Sequence, residues 1–184
     1  MKACIDWSAD NREITDRVLK AYSGSPWVKN VLEIGMGHST EVLLKGVASK
    51  QGTVWSMDKG DQKVSEQEGA TLVKLIGNSL VLPWERPIDL LYIDGCHRPK
   101  HVLKELAKFA RFVNPGGFIL FDDVRHYEKP RLEPVIDAWC QGMKLGWYYP
   151  APEPNGVAVV EVTRRLGEIP QALIQSSTDC EWCE

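Results

Sequence analysis

Short β-rich runs alternate with longer segments of helical periodicity along this chain, and no other feature of the sequence constrains the fold as strongly. Strands are predicted at residues 31–35, 53–58, 71–76, 88–94 and 117–122. Helices are predicted at about 10–22, 40–49 and 134–141, and from Pro99 to just before Asn114, with at most a short helix within 60–69. This alternation is typical of an α/β domain, in which helices cover a mostly parallel sheet.

The last two predicted strands, residues 144–149 and 156–163, are separated only by the short proline-rich loop 150–155. A loop of this length joins antiparallel strands, because parallel neighbours need a longer crossover. The standard two-half dinucleotide-binding domain does not end in such a hairpin. The sequence therefore predicts a seven-stranded, mostly parallel sheet with an antiparallel C-terminal hairpin.

Composition limits the classes of partner and the number of domains. The chain has 22 Lys and Arg against 25 Asp and Glu, a formal net charge of −3, which disfavours nucleic acid and anionic membranes as partners. No apolar run is long enough for a signal peptide or a membrane span, so we expect a cytoplasmic protein. A length of 184 residues suffices for one domain. We assign it to residues 1–170, with a helical segment at 1–30 and a polar tail at 171–184.

The cysteines do not indicate a disulfide framework, since the five are odd in number and irregularly spaced. Cys180 and Cys183 form a C-x-x-C in the tail. A zinc site needs about four ligands, and no second cysteine or histidine pair is evident. We therefore expect reduced thiols and a free tail.

A glycine-rich turn, LEIGMGHST at residues 32–40, follows the first predicted strand. Ligands of open α/β sheets bind at such turns, although two glycines can also serve the geometry of the turn alone. The dinucleotide fingerprint needs a third glycine where this chain has Thr40. Glu33 would repel a pyrophosphate and attract an amino group, which favours S-adenosylmethionine over NAD. Asp58, 23 residues after Gly35, has the reach to accept hydrogen bonds from ribose hydroxyls, or is simply solvated.

Five motifs in this order resemble those of class I S-adenosylmethionine-dependent methyltransferases, in the small branch of macrocin-type and catechol-type O-methyltransferases. They span about residues 31–124 and read LEIGMGHS, SMDKG, GNS, YIDGCH and NPGGFILFDDV. The resemblance implies a three-layer Rossmann-like methyltransferase fold and O-methylation of a small-molecule acceptor.

The resemblance also implies roles for individual residues. Near the methionine end of the cofactor it places Glu33, Gly35 and Gly37, and it adds Ser39 and Asp94 to the cofactor-binding residues. It assigns the ribose to Asp58 and the adenine to Asn78 and Ser79, although the family often has Asp where Asn78 stands.

Acidic residues end two predicted strands: Asp94 ends one, and Asp122, followed by Asp123, ends the other. In metal-dependent relatives similar positions hold a divalent cation, and oxygen ligands with waters suit Mg²⁺. Adjacent strand residues point to opposite faces, so Asp122 and Asp123 share one ion only if the strand has already curled away. Solvated or hydrogen-bonded carboxylates are the equally open alternative.

His97 is the candidate catalytic base, with Asp94 three residues before it. The alternative is that His97 caps the helix that starts at Pro99. His38 is expected to pack in the cofactor turn, and His101 is expected at the surface. The family usually has an aromatic residue where Pro99 stands, which leaves His126 and Tyr127 as the residues expected to face the acceptor.

Two other functions remain open. An NAD-dependent oxidoreductase is disfavoured by Thr40, Glu33 and the terminal hairpin, and a non-catalytic cofactor-binding or scaffold protein of the same fold is opposed by His97 and the paired acids. Little of the chain is available to form a lid over an acceptor. Either the acceptor is large and supplies its own cover, or a second subunit closes the site through the opening helix and residues 125–128. Of these two we expect the second, as a homodimer.

Overall fold

A computed structural model describes residues 11–125, 130–150 and 156–169 and contains a seven-stranded sheet of order β3-β2-β1-β4-β5-β7-β6. Strands β1 to β5 are parallel, and β7 lies antiparallel to both β5 and β6. The strands are β1 Asn30–Ile34, β2 Thr53–Asp58, β3 Thr71–Ile76, β4 Ile88–Ile93, β5 Val113–Phe121, β6 Trp147–Tyr148 and β7 Ala158–Glu161. The predicted mixed sheet is confirmed.

Four α-helices cover the two faces of this sheet, which gives three layers. They are α1 Asn11–Ser23, α2 His38–Val47, α3 Pro99–Phe109 and α4 Glu133–Met143. Successive strand residues point to opposite faces. Leu90 therefore packs with α1 and α2, while Leu91 packs with α3 and α4. The three-layer Rossmann-like fold class is confirmed.

Element boundaries differ from the sequence prediction in the second half of the sheet. β5 begins at Val113 instead of residue 117, because Val113 pairs with Ile88 before the register shifts to Leu90 and Phe118. β6 has only two residues, since α4 extends to Met143. No described residue within 60–69 is helical. None of the described helices is long and apolar enough to span a membrane.

The carboxyl ends of the parallel strands meet at one edge of the sheet, where backbone hydrogen bonds continue beyond the strands. Asp94 N–H donates to the carbonyl oxygen of Ile34 at 2.8 Å, and Asp122 N–H donates to that of Ile93 at 3.0 Å. These bonds bring the glycine turn and both acidic strand ends together. The candidate site lies at this edge.

Candidate active site

The two glycines of the turn have different structural roles. Gly35 has φ +104°, and a Cβ atom there would lie 2.4 Å from the carbonyl oxygen of Asp94. Only glycine fits this close approach between the ends of β1 and β4. Gly37 has an extended φ of 174°, and a Cβ atom there would meet nothing within 4 Å. Gly35 therefore serves the fold, while Gly37 leaves open space above the turn.

Thr40, which stands where a dinucleotide fingerprint has its third glycine, fixes the turn. Gly37 N–H donates to Thr40 Oγ1 at 3.0 Å, and Thr40 N–H donates to the Gly37 carbonyl oxygen at 3.2 Å. Thr40 Oγ1–H also donates to Glu33 Oε2 at 2.6 Å. The threonine therefore holds the start of α2 against the end of β1.

Glu33 lies beneath the turn and does not line either cavity at this edge of the sheet. Its carboxylate is fully buried and accepts hydrogen bonds from the hydroxyls of Ser39, Thr40 and Ser56 at 2.5–2.6 Å. Burial raises the pKa of Glu33 to about 7, against the lowering effect of these donors. The three hydroxyls satisfy the carboxylate beneath the backbone, and the role of Glu33 near the methionine end of the cofactor stays a prediction.

A cavity of about 430 Å³ opens above the glycine turn, and we call it the turn cavity. It is lined by Arg12, Thr15, Asp16, Gly35, Met36, Gly37, His38, Ser39, Asp58, Tyr92, Asp94, Asp122 and Asp123. The lining includes five aspartates and one arginine, so it favours cationic and hydrogen-bond-donating groups. The predicted residues Gly35, Gly37, Ser39, Asp58 and Asp94 meet here.

Helix α1 supplies a wall of the turn cavity that sequence reasoning missed. Arg12, Thr15 and Asp16 line the cavity, and Asp16 Oδ2 lies 2.8 Å from His38 Nε2. This contact ties α1 to the first residue of α2. The available signal was the position of Arg12 in the first turn of a predicted helix, but its side of the sheet was not readable from the sequence.

Asp58 stands between the turn cavity and its neighbour, and both of its carboxylate oxygens are held by the backbone. Oδ2 accepts from Met36 N–H and Oδ1 from Gly60 N–H, both at 2.9 Å. Each oxygen keeps a second lone pair for a further donor. A ligand that carries two neighbouring hydroxyls fits this fixed carboxylate.

The acidic strand ends meet in the turn cavity. β5 ends at Phe121 and Asp123 has φ +49°, so the chain has turned and both Asp122 and Asp123 line the cavity with Asp94. Burial, and then the charges of Asp94 and Asp123, raise the pKa of Asp122 well above its ordinary value. Among the residues that the structure describes, no group of three or more His, Cys, Asp or Glu side chains is arranged to hold a metal ion.

His97 lies beside Asp94, with Nε2 3.7 Å from Oδ1, and its side chain is 9% exposed. It lines neither the turn cavity nor the neighbouring cavity. Helix α3 has Arg98 as its N-cap residue and no side-chain capping hydrogen bond. The structure therefore gives no support to the alternative that His97 caps α3. The imidazole lies next to Asp94, at the edge of the acidic strand ends.

A second cavity of about 310 Å³, which we call the loop cavity, adjoins the turn cavity and shares Gly35, Asp58 and Asp94 with it. Its other lining residues are Ile34, Met57, Lys59, Gly77, Asn78, Ser79, Gly95, Cys96, His101 and Glu105. The predicted pair Asn78 and Ser79 therefore lines the loop cavity and not the turn cavity. Asn78 Oδ1 accepts from Leu80 N–H at 2.9 Å, which fixes the loop after β3.

A buried polar network forms the back of the loop cavity. Glu105 Oε1 accepts from Ser79 Oγ–H at 2.7 Å and lies 3.0 Å from His101 Nε2. Glu105 is fully buried and His101 is 4% exposed, so the expectation of a surface position for His101 is wrong. Residues 101 and 105 are one helical turn apart and therefore lie on the same face of α3. Their sequence positions next to the apolar residues of α3 could have indicated that this face is buried.

Several predicted residues lie outside the described part of the chain. These are His126, Tyr127, Cys180 and Cys183. His38, expected to pack in the turn, is instead 42% exposed and paired with Asp16.

Comparison with known proteins gives a family and a fold. A sequence model of the family described as "Methyltransferase domain" matches residues 32–124. The "Uncharacterized protein R132" of Acanthamoeba polyphaga mimivirus is 34% identical over 64 residues, which are 34% of this chain and 29% of that protein. The chain therefore spans less than a third of the length of this curated relative.

Three solved structures of similar fold are 14–17% identical to this chain. MycE methyltransferase, from the mycinamycin biosynthetic pathway, in complex with Mg, SAH and mycinamycin VI has 17% identity and a TM-score of 0.57, over 91% of this chain and 51% of that one. SAH-bound PaMTH1 from Podospora anserina has 14% identity and a TM-score of 0.60, over 84% and 80%. SAM-bound TomG from Streptomyces achromogenes, involved in tomaymycin synthesis, has 14% identity and a TM-score of 0.58, over 86% and 82%.

Proposed function

This chain belongs to the methyltransferase-domain family, and from that premise we propose that it transfers a methyl group from S-adenosylmethionine to an oxygen of a small-molecule acceptor. The observation that carries the proposal is the pair of adjoining cavities, about 430 and 310 Å³, joined at Asp58. Such volumes match small-molecule sites. S-adenosylmethionine consists of an amino acid, a ribose and a base linked in a row, and two adjoining cavities would accommodate these parts.

The residues present fit the cofactor part by part. Gly37, where a Cβ atom would meet open space, leaves room for the methionine part in the turn cavity. Asp58 would accept hydrogen bonds from the ribose hydroxyls, and the loop cavity at Asn78 and Ser79 would hold the adenine. Glu33 would position the turn from below through its three hydroxyl donors.

Arg12 would bind the α-carboxylate of the methionine part. Of the described residues, it is the only arginine or lysine that lines the turn cavity. Among the described residues it forms no ion pair or hydrogen bond. A carboxylate in a cavity with five aspartates needs a cationic partner, because it would otherwise meet charges of its own sign.

When bound, S-adenosylmethionine supplies a methyl group already activated on a sulfonium, so the protein has to align the acceptor and remove its proton. His97 would take that proton on its imidazole, the side chain that most often serves as a general base. Asp94, 3.7 Å from His97 Nε2, would stabilise the resulting imidazolium. The remaining acids of the turn cavity would orient the acceptor hydroxyl.

Mg²⁺ at Asp94, Asp122 and Asp123 stays a prediction. All three residues line one cavity, but the described residues do not form a three-ligand group. The mechanism through His97 therefore predicts that turnover persists after treatment with EDTA. Loss of turnover that Mg²⁺ restores would instead assign these acids to a metal ion.

The assembly proposed for this function is a homodimer in the cytoplasm, in which a second copy covers the acceptor side of the cavity. The support is that α1 walls the turn cavity directly, so a partner packed on α1 would lie close to the acceptor. Light scattering at micromolar concentration is expected to give twice the mass of the chain, and a strict monomer would contradict the dimer.

The test of the proposed function is methyl transfer to a panel of hydroxylated small molecules, with S-adenosylhomocysteine formation as the readout. His97→Ala is expected to lower turnover by about 100-fold while leaving S-adenosylhomocysteine affinity unchanged. Lys104→Ala, an exposed change on the same helix, is the matched control and should match the wild type. Cofactor binding without turnover on any acceptor would favour the non-catalytic alternative.

A further inference from the structure

A third cavity, of about 520 Å³, lies at the opposite end of the sheet from the proposed cofactor site, and we call it the aromatic cavity. Its walls come from the end of α1, the segment that follows α1, two residues within β5, and the last residue of β7 with the two residues after it. Gly116 of β5 lines it, whereas Asp122 beyond the other end of β5 lines the turn cavity. At 3.3 Å per strand residue the two sites are roughly 20 Å apart.

Three aromatic residues line the aromatic cavity. The ring centroids of Tyr22 and Phe118 are 4.9 Å apart at an interplanar angle of 76°, and those of Trp27 and Phe118 are 6.3 Å apart at 37°. Trp27 is 55% exposed, yet its Nε1–H donates to the carbonyl oxygen of Gly116 at 3.1 Å. An exposed tryptophan that is held in place in this way is preorganised to cover a ligand.

Glu161 is the only charged residue among the described residues that line the aromatic cavity. Tyr148 O–H donates to Glu161 Oε1 at 2.9 Å, and the hydroxyls of Tyr148 and Tyr22 are 2.7 Å apart. This chain of hydroxyls fixes the carboxylate. Within the described ranges no lysine, arginine or histidine forms an ion pair with it.

From this combination we propose that the aromatic cavity binds a small organic cation, an alkylated ammonium group. The negative faces of aromatic rings attract cations, and weakly hydrated alkylammonium groups lose little on leaving water. Glu161 adds a full negative charge, and no lining residue carries a positive one. Anions are repelled by the same features, and a neutral ligand gains only from burial of apolar surface.

The test compares choline with 3,3-dimethylbutan-1-ol, which has the same shape but a carbon in place of the charged nitrogen. Binding to the full chain is followed by titration calorimetry or by ligand-detected NMR. We expect choline to bind at least about tenfold more tightly than the neutral alcohol. Equal affinities, or no saturable binding of choline, would overturn the proposal.

Two variants locate the binding. Glu161→Gln is expected to reduce the preference for choline over the alcohol to about threefold or less, and Trp27→Ala to weaken choline binding by about fivefold or more. Glu85→Gln, which removes one charge from an exposed residue outside the cavity, is the matched control and should behave as wild type. If Glu161→Gln and Glu85→Gln gave the same preference, the assigned cavity would be wrong.

Trp27 and Glu161 are exposed residues, so we expect both variants to stay folded. The thermal midpoint of each variant checks this. S-adenosylhomocysteine affinity is expected to be unchanged in both, because neither residue lines the turn or loop cavity. The choline experiment needs no methyl donor, so its failure and the failure of the proposed function are separate results.

Discussion

The turn cavity and the loop cavity share Asp58 but rest on differently satisfied buried carboxylates. Glu33 beneath the turn accepts three hydroxyl donors, which use both of its oxygens. Glu105 behind the loop cavity receives Ser79 and His101 on Oε1 alone, and its buried Oε2 has no hydrogen-bond partner among the described residues. Both oxygens of Glu33 are thus hydrogen-bonded, whereas Glu105 has only two contacts. We therefore expect the loss of one contact to cost more stability at Glu105 than at Glu33.

The largest expected effect comes from filling the open space above Gly37. Gly37→Leu puts a side chain where a Cβ atom now meets nothing, so the fold is retained but the ligand is blocked. We expect S-adenosylhomocysteine to bind about 100-fold more weakly, equivalent to about 3 kcal/mol, with little change in thermal midpoint. Calorimetric titration and thermal melting measure the two effects.

Gly35→Ala is the matched control for this experiment, because it should damage the fold instead. Its Cβ atom would lie 2.4 Å from a backbone oxygen at φ +104°, and we expect a loss of about 2–5 kcal/mol of unfolding free energy. If the two variants behaved alike, the division between a structural and a ligand-facing glycine would be wrong.

The next effect is a pH dependence of stability that originates at Glu33. Its pKa rises from 4.5 in the unfolded chain to about 7 in the fold, so the folded state holds a proton that the unfolded state has lost between these values. Glu33 should therefore reduce the unfolding free energy by about 3 kcal/mol as pH rises from 4.5 to 7, with no further loss above. Denaturant titrations of wild type and Glu33→Gln measure this as a pH-dependent difference, and parallel curves would contradict it.

A smaller effect compares single hydroxyls in the two networks. Ser79→Ala leaves Glu105 with His101 as its only described donor, and we expect a loss of about 1–3 kcal/mol in unfolding free energy. Ser39→Ala leaves Glu33 with two hydroxyl donors, and we expect about 1 kcal/mol or less. Denaturant unfolding of both variants decides the order. A larger loss for Ser39→Ala would contradict the comparison of the two networks.

The smallest effect is expected at Arg12, because an exposed ion pair contributes little. Arg12→Ala should weaken S-adenosylhomocysteine binding by about two- to fivefold. The decarboxylated analogue, which lacks the proposed partner, should bind both proteins with the same affinity. Arg17→Ala, on the same helix but paired with Glu13, is the control and should change neither affinity. An equal loss for both ligands in Arg12→Ala would reject the carboxylate contact.

The turn could be predicted from the sequence because its parts are contiguous. A buried strand, two glycines and a helix start follow one another within residues 30–40. Asp58 ends a strand, and Asp94 and Asp122 each directly follow one. The carboxyl ends of parallel strands meet at one edge, so predicting the strands also predicted where these residues meet. The different roles of Gly35 and Gly37 could not be predicted from the sequence. They depend on how closely the backbone of Asp94 approaches Gly35 in the folded protein.

The wall of the loop cavity and the contribution of α1 were harder to predict, because they depend on how helices pack on the sheet. Charged residues are rarely fully buried, so the residue type of Glu105 predicts a position at the surface. Its burial follows from the Ser79 and His101 contacts, which bring together residues from a loop and a helix. Arg12 reaches the cavity because α1 packs on α2, a contact that no local pattern reveals.

Binding of S-adenosylhomocysteine to the purified chain, with NAD⁺ as the competing ligand, tests the central claim most directly. Titration calorimetry is expected to show one saturable site for S-adenosylhomocysteine, which Asp58→Ala weakens by about 1–3 kcal/mol through the loss of the ribose contact. NAD⁺ is expected to give no comparable heat, since the turn lacks the third glycine and its cavity is acidic. Saturable binding of NAD⁺ without binding of S-adenosylhomocysteine would contradict the account.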